Sequence, residues 1–339
     1  MSVLTVIAAG PLSTIQDAGR VGYQRFGVSV AGAADPLLHA VANALVGNGP
    51  AEAAVEFTLS GDTLRAEGGP CRIAVAGDAP LVIDDAPAAA WMSHTLAEGQ
   101  TLRVGTLRSG MRGYVAVAGG FALVPALGSV ATHVRSRLGG LDGDRLKPGD
   151  RLPLRADAAP APDLVLDPAD LPLRGETLRV VLGPQDDHFT PAGIATFLAG
   201  PYTVSLEADR MGCRLQGPAV EHAKGFNITS DGIPLGAVQV PGTGQPIVML
   251  ADRQTTGGYP KIACVITPDV AALAQKRPGD TLRFQAVSPA EARRAHARFR
   301  DLIAGLPQLL RHAAAFDLYG SERLLALNLI DGVVASDAD

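Results

Sequence analysis

Pro246-Ile247-Val248-Met249-Leu250-Ala251-Asp252-Arg253-Gln254-Thr255-Thr256-Gly257-Gly258-Tyr259-Pro260-Lys261-Ile262-Ala263-Cys264-Val265-Ile266 consists of two apolar runs joined by a dense polar segment. Residues 246–251 and 262–266 are short, rich in branched aliphatic side chains and bounded by turn-forming or charged residues, which predicts two buried strands. A plain hairpin needs about two to five turn residues. Residues 252–261 instead carry six polar or charged side chains and two glycines, more chemistry than a turn requires. Arg253 and Lys261 supply positive charge, and Gly257-Gly258 lets backbone N–H groups approach an anion. Asp252 is placed to act as a base or to orient a donor. The Gly-x-x-x-x-Gly-Lys-Ser/Thr spacing of a phosphate-binding P-loop is absent.

The same punctuation recurs along the chain. With 39 Gly and 25 Pro in 339 residues, short Val-, Leu-, Ile- and Thr-rich segments alternate with tight turns, the pattern of a mainly β protein with few helices. A turn-to-strand motif appears as Gly61-Asp62-Thr63-Leu64-Arg65, Gly99-Gln100-Thr101-Leu102-Arg103, Gly149-Asp150-Arg151-Leu152, Gly175-Glu176-Thr177-Leu178-Arg179 and Gly279-Asp280-Thr281-Leu282-Arg283. Its irregular spacing excludes a solenoid. Four helices are expected where Asp35-Pro36, Thr190-Pro191, Thr267-Pro268 and Ser288-Pro289 place a capping side chain before a proline. Ser288 and Glu291 form a capping box. The last of these helices carries Arg293, Arg294, Arg298 and Arg300, read as a solvated basic face or a surface for an acidic partner.

The Ala-, Pro- and Asp-rich stretch 154–171 reads as a linker. It divides the chain into a first domain at 1–165, a second at 166–305 bearing the 252–261 segment, and an extension at 306–339 whose end is expected to be disordered. Composition narrows the function. The 47% hydrophobic content contains no apolar run of about 18–20 residues, and Tyr114 to Val124 is interrupted by Gly119-Gly120. No basic, secretory-type start is present, so a cytoplasmic protein with no membrane role is expected. A net charge of −5 argues against a nucleic-acid surface. Cys71, Cys213 and Cys264 lack paired spacing and sit among apolar residues, which points to buried thiols.

Three further segments concentrate polar residues. In Gln16-Asp17-Ala18-Gly19-Arg20, the Arg either holds a carboxylate or phosphate, or pairs with Asp17 to tie down a loop. Gln185-Asp186-Asp187-His188 follows a strand, where Asp187 and His188 form a candidate acid/base pair or the segment merely caps a turn. Asp209-Arg210 is read as a charge pair, Ser230-Asp231-Gly232 as a turn, and Gln239 needs a partner if it points inward. The histidines show no ligand spacing, and no protein-held metal is expected.

Taken together, Thr14-Ile15-Gln16-Asp17-Ala18-Gly19-Arg20, Gly32-Ala33-Ala34-Asp35, Ala42-Asn43-Ala44-Leu45-Val46-Gly47-Asn48, Gly183-Pro184-Gln185, Asp209-Arg210-Met211-Gly212 and residues 251–261 resemble the biotin-dependent carboxyltransferase family formerly labelled allophanate hydrolase subunit 2. That family includes the Kip antagonist proteins and the C-type subunit of bacterial 5-oxoprolinase. Ala34 departs from it where Met is commoner, and residues 133–138 are unusually basic. The resemblance implies two cyclophilin-like β-barrel domains. It implies two partners, the Kip-inhibitor-type (B-type) and hydrolase (A-type) subunits, with a small-molecule amide substrate and ATP, with Mg, as co-substrate. The implied reaction is ATP-dependent opening of 5-oxo-L-proline to L-glutamate, with Asp252, Arg253 and Lys261 as catalytic residues. Gln16, Asp17, Arg20, Gln185, Arg210, Gln239, Gln254, Thr255, Thr256, Gly257, Gly258 and Tyr259 are then the expected substrate- or nucleotide-binding residues. Alternatively, the family implies carboxyl transfer from carboxybiotin to urea or a related amide. The chain has no Ala-Met-Lys-Met biotinylation site, so the biotin would arrive on another protein. A third alternative is a regulatory antagonist that binds a kinase inhibitor.

Overall fold

In the computed structural model, residues 2–155, 161–172 and 174–313 are described. The tail after Ile330 and residues 156–160 of the expected linker lie outside them. The two apolar runs of residues 246–266 form strands Ile247–Met249 and Lys261–Val265, but these are not neighbours. Strand Ala237–Gln239 lies between them, antiparallel to both. The polar segment must therefore cross the end of an intervening strand, which explains why it exceeds a hairpin turn.

Those three strands belong to a closed seven-strand barrel completed by Thr177–Leu182, Tyr202–Val204, Gly212–Gln216 and Thr281–Ala286. Closure comes from the parallel pairing of Thr177–Leu182 with Thr281–Ala286; the remaining ladders are antiparallel. Leu178, Val180, Val238, Val248, Ile262 and Leu282 fill the interior, with Phe197 stacked on Phe284 at 4.4 Å. A sheet closed on itself around such residues has no free edge to protect.

The first half holds a six-stranded and a five-stranded sheet around one apolar core that includes Leu4, Val6, Ile15, Val55, Phe57, Leu64 and Val115. The mainly β, two-barrel expectation holds, with this barrel built as two sheets. Burial patterns separate them. In the six-stranded sheet Thr63–Glu67 alternates between buried and accessible residues, whereas in the five-stranded sheet Cys71–Ala76 and Arg112–Val117 are buried throughout. The second pattern arises because helix α1, Pro36–Leu45, covers the outer face of that sheet. Side chains alternate across a strand, so Val55 and Phe57 enter the core while Ala54 and Glu56 face α1. Register then places Glu56 opposite Thr14 on one neighbour and Tyr114 on the other.

After α2, Pro191–Ala199, and α3, Thr267–Leu273, the chain leaves the barrel in α4, Pro289–Leu309. Helix α4 returns to the first half, where Leu306, Phe299 and Leu302 join the α1 cluster. Its four arginines are exposed. Asp35 and Thr190 cap α1 and α2, and Ser288 and Glu291 complete the capping box of α4. The expected Thr267 cap is corrected: Thr267 is the first helical residue, Ile266 precedes it, and no side chain caps the end. The linker reading also needs correction, because Leu164–Val165 pairs with Arg311–His312 and Leu166 is fully buried. Composition alone hides such packing, since a few apolar residues suffice to anchor a Pro-rich stretch.

The recurrent turn motif is a local device. In each copy a strand begins at the third residue, directly after the Gly-x pair. Gly99, Gly149 and Gly279 take φ of 86°, 93° and 92°. The side chains of Gln100, Asp150 and Asp280 each accept from the backbone N–H three residues earlier, closing the turn as short polar side chains do. No described helix is long and apolar enough to cross a membrane.

Candidate active site at the junction of the two halves

The strand Ile247–Met249 delivers residues 250–253 to the barrel rim, where Leu250 and Asp252 donate their backbone N–H groups to Met211 O and Arg210 O. Both carboxylate oxygens of Asp252 accept from Arg210, at 2.9 Å from Nε and 2.8 Å from Nη2. Arg210 extends further, to Glu56 of the first half through Nη1 and to Gly32 O at 2.7 Å. Glu56 also accepts from Tyr114 Oη at 2.7 Å, Ala34 N at 2.9 Å and Arg112 Nη1 at 3.3 Å. Burial alone would raise the Glu56 pKa, but Arg210, Arg112 and these neutral donors outweigh it and bring it down to about 2. Burial likewise opposes the charge on Arg210, and Asp252 with Glu56 reverses that, leaving its pKa above the ordinary value. The Asp209–Arg210 pairing read from sequence does not form. Asp209 instead accepts from Met211 N and Gly212 N, so it shapes the turn.

Arg253 has different company. It is 7% exposed, and its guanidinium reaches only carbonyls, Ile233 O at 3.0 Å and Leu250 O at 3.4 Å. No salt bridge to it occurs among the described residues, and burial lowers its pKa. Gln24 of the first half donates to the same Ile233 carbonyl at 2.8 Å. Lys261 is fully buried along its stem and ends 2.8 Å from Asp231. Gln185 bridges this pair, accepting from Lys261 N and donating to Asp231, both at 3.1 Å. Lys261 is the leading cause that lowers the Asp231 pKa. Residues 231–232, read as a turn, form a short strand against Thr256–Gly257. Gly257 leaves room for its neighbours there: a Cβ would lie 2.7 Å from Ile233 Cδ1 and 2.9 Å from Gln239 Nε2, so the ends of those side chains would have to shift. Gln239 does find a partner, Tyr259 O at 3.3 Å. Gln254, Thr256 and Tyr259 are exposed and Thr255 is half-buried.

The first half contributes the third wall. His133 Nε2 lies 3.3 Å from Asp252 O, and Ser29 Oγ lies 3.5 Å from Ala251 O. Asp17 does not pair with Arg20. Its carboxylate accepts from Gly19 N, Ser129 Oγ and Val130 N, fastening the neighbouring loop. Arg20, 1% exposed, donates to Ala131 O and has no salt bridge among the described residues. Gln16 donates to Thr132 O at 3.0 Å. Around this loop, Arg20 Nη1, Gln16 Oε1 and Thr132 Oγ1 are buried without a hydrogen-bond partner among the described residues. Such atoms cost about 1–3 kcal/mol each when nothing satisfies them, so they mark a place suited to a polar occupant.

The structure thus gathers residues 251–261, Arg210, Gln185, Gln239, Gln16, Asp17 and Arg20 around the junction. The Asp187–His188 pair is not formed, since Asp187 bonds exposed Lys224. Glu56, Arg112, Tyr114, Asp231 and His133 join the arrangement although sequence reading assigned them no role. Glu56 left one signal, a lone acid between Val55 and Phe57 in an apolar strand. Three clefts of about 390, 630 and 450 Å3 open near Arg179, Arg214 and Trp91 respectively; the first and third are lined by both halves, and the third reaches Arg112. Among the described residues no group of three or more His, Cys, Asp or Glu is placed to hold a metal ion.

A two-barrel chain with a charged loop at the junction defines a class. Residues 26–286 match the family described as carboxyltransferase domain, subdomain A and B, and the chain belongs to that family. It is 39% identical over 280 residues to the C-type subunit of 5-oxoprolinase from Haemophilus influenzae, covering 83% of this chain and 90% of that protein. It is 38% identical to the protein of the same name from Escherichia coli, covering 86% and 94%. The crystal structure of Kluyveromyces lactis urea carboxylase superimposes with a TM-score of 0.83 at 29% identity. That match covers 92% of this chain and only 29% of the longer one.

Proposed function

We propose that this chain is the C-type subunit of an ATP-dependent 5-oxoprolinase, opening 5-oxo-L-proline to L-glutamate together with Kip-inhibitor-type and hydrolase partners. The similarity to two proteins named as that 5-oxoprolinase subunit, over most of both chains, supports this reading. One observation carries the chemistry: Arg20 and Arg253 are nearly buried guanidinium groups that hydrogen-bond only carbonyl oxygens, with the nearby Asp17 and Asp252 carboxylates not in salt-bridge contact among the described residues. A buried cation without a counter-ion is costly, and 5-oxo-L-proline brings a carboxylate while ATP brings phosphates.

In the proposed reaction the lactam oxygen takes the γ-phosphoryl group of ATP, releasing ADP. Water then adds to the ring carbon and the C–N bond breaks as the nitrogen gains a proton, leaving a γ-glutamyl phosphate; a second water hydrolyses this acyl phosphate, releasing phosphate and glutamate. Arg253 and Lys261 stabilise negative charge, as donors fixed in a water-poor site do best. Gln16 Oε1 is a free acceptor suited to an N–H next to a carboxylate. Asp252 acts by orienting Arg210 and the loop, since both its oxygens are engaged. Any Mg would enter with the nucleotide. The test mixes this chain with its two partner subunits, ATP and 5-oxo-L-proline; glutamate release is expected, and its absence counts against the reading.

The urea carboxylase likeness favours one second reading, carboxyl transfer from carboxybiotin on a separate carrier. Bicarbonate-dependent labelling of urea in the presence of that carrier, with no glutamate release, would select it.

A further inference from the structure

The loop 252–258 carries the chemistry, yet its position is referenced to a strand of the other half. We propose that Glu56 is a positioning residue, holding the 252–258 loop in place by gripping Arg210. Asp252 is fixed by a two-point contact with Arg210, whose backbone carbonyl also receives Asp252 N. Two-point guanidinium–carboxylate contacts define orientation as well as distance. Arg210 is in turn fixed from the first half by Glu56 and Gly32 O. Glu56 cannot follow a moving loop. Its strand lies between Ser13–Gln16 and Arg112–Val117, and its second oxygen is held by Tyr114 Oη and Ala34 N. Register alone brings Tyr114 opposite Glu56, so the anchor is built into a sheet buried on both faces.

The two oxygens of Glu56 have separate tasks: Oε1 meets Arg210 and Arg112, and Oε2 meets the neutral donors. A glutamine at 56 supplies one oxygen and one N–H2 group, so donors face donors on one side. Arg112 serves as the control, since its side chain touches the same carboxylate but otherwise bonds Thr58 within its own sheet, and its backbone bonds to Gln275 survive substitution.

The test is amide hydrogen exchange at residues 251–258 in the full chain. Glu56→Gln is expected to raise exchange there about tenfold or more, the worth of a charged hydrogen bond. Arg112→Gln is expected to leave these amides within about twofold of wild type. If Glu56→Gln fails to fold, Tyr114→Phe, which removes one of the two donors to Oε2 and the acceptor of Asp35 N, should raise exchange about threefold at the same residues. Unchanged exchange in the folded variant, or an equal rise in Arg112→Gln, overturns the proposal. The second readout rests on the 5-oxoprolinase reading: in the assembled enzyme Glu56→Gln should lower kcat with KM within about twofold. A wild-type complex that releases no glutamate would sink that reading while leaving the exchange result to decide on Glu56.

Discussion

Arg210 and Arg253 rise from the same barrel rim and are almost equally hidden from water, at 5% and 7% exposed, yet their surroundings are opposite. Arg210 touches two carboxylates and a carbonyl; Arg253 touches carbonyls alone. The difference separates charge that holds a structure together from charge kept ready for a ligand. Breaking a saturated buried pair leaves uncompensated ions, whereas removing a guanidinium that lacks a counter-ion relieves a desolvation cost. Arg20, also without a salt bridge among the described residues, sits with Arg253 on this comparison.

The largest effect should come from Arg210→Ala, which leaves the buried Asp252 unpaired and Glu56 with Arg112 as its one remaining cation among the described residues. A loss of about 3–5 kcal/mol corresponds to a fall of roughly 10 °C in the unfolding midpoint. Calorimetry giving a fall below about 2 °C would end the structural half of the comparison. Arg253→Gln is the counterpart, expected to keep stability within about 1 kcal/mol of wild type in urea titration. A destabilisation equal to that of Arg210→Ala would erase the distinction. Glu56 offers a sharper version through pH. Its folded pKa of about 2 lies below the ordinary 4.5, so its contribution is full above pH 4.5 and is lost as pH falls towards 2. Stability measured over that window should slope less in Glu56→Gln than in wild type; parallel slopes would show that the group is not held ionised. Smallest are the thiols, where burial pushes Cys71 and Cys213 up to about 12. Native protein at neutral pH should resist iodoacetamide at both positions by mass mapping, and rapid labelling would contradict their burial.

Much of this was legible in residues 246–266. Strands announced themselves by apolar runs, and the loop by polar side chains that no turn needs. Gly257 was legible as special but for another reason, since it makes room for Ile233 and Gln239. The clamp was not legible, because Glu56 and Arg210 are 154 residues apart and meet only when a strand of one half faces the rim of the other. Local pairing rules misassigned Arg210 to Asp209 for the same reason. Thr267 looked like a cap, yet the helix starts at Thr267 itself, and Asp269 in its first turn is engaged by Arg179. Sequence shows which side chains seek partners; the partner is chosen by topology.

The most direct measurement is glutamate released from 5-oxo-L-proline and ATP by this chain assembled with its two partner subunits, comparing wild type with Arg253→Gln. Wild type is expected to give ATP-dependent glutamate, and the variant a kcat/KM lowered about 10–100-fold, the worth of a charged hydrogen bond to an anion. No glutamate from wild type, or an unaltered kcat/KM in Arg253→Gln, would contradict it.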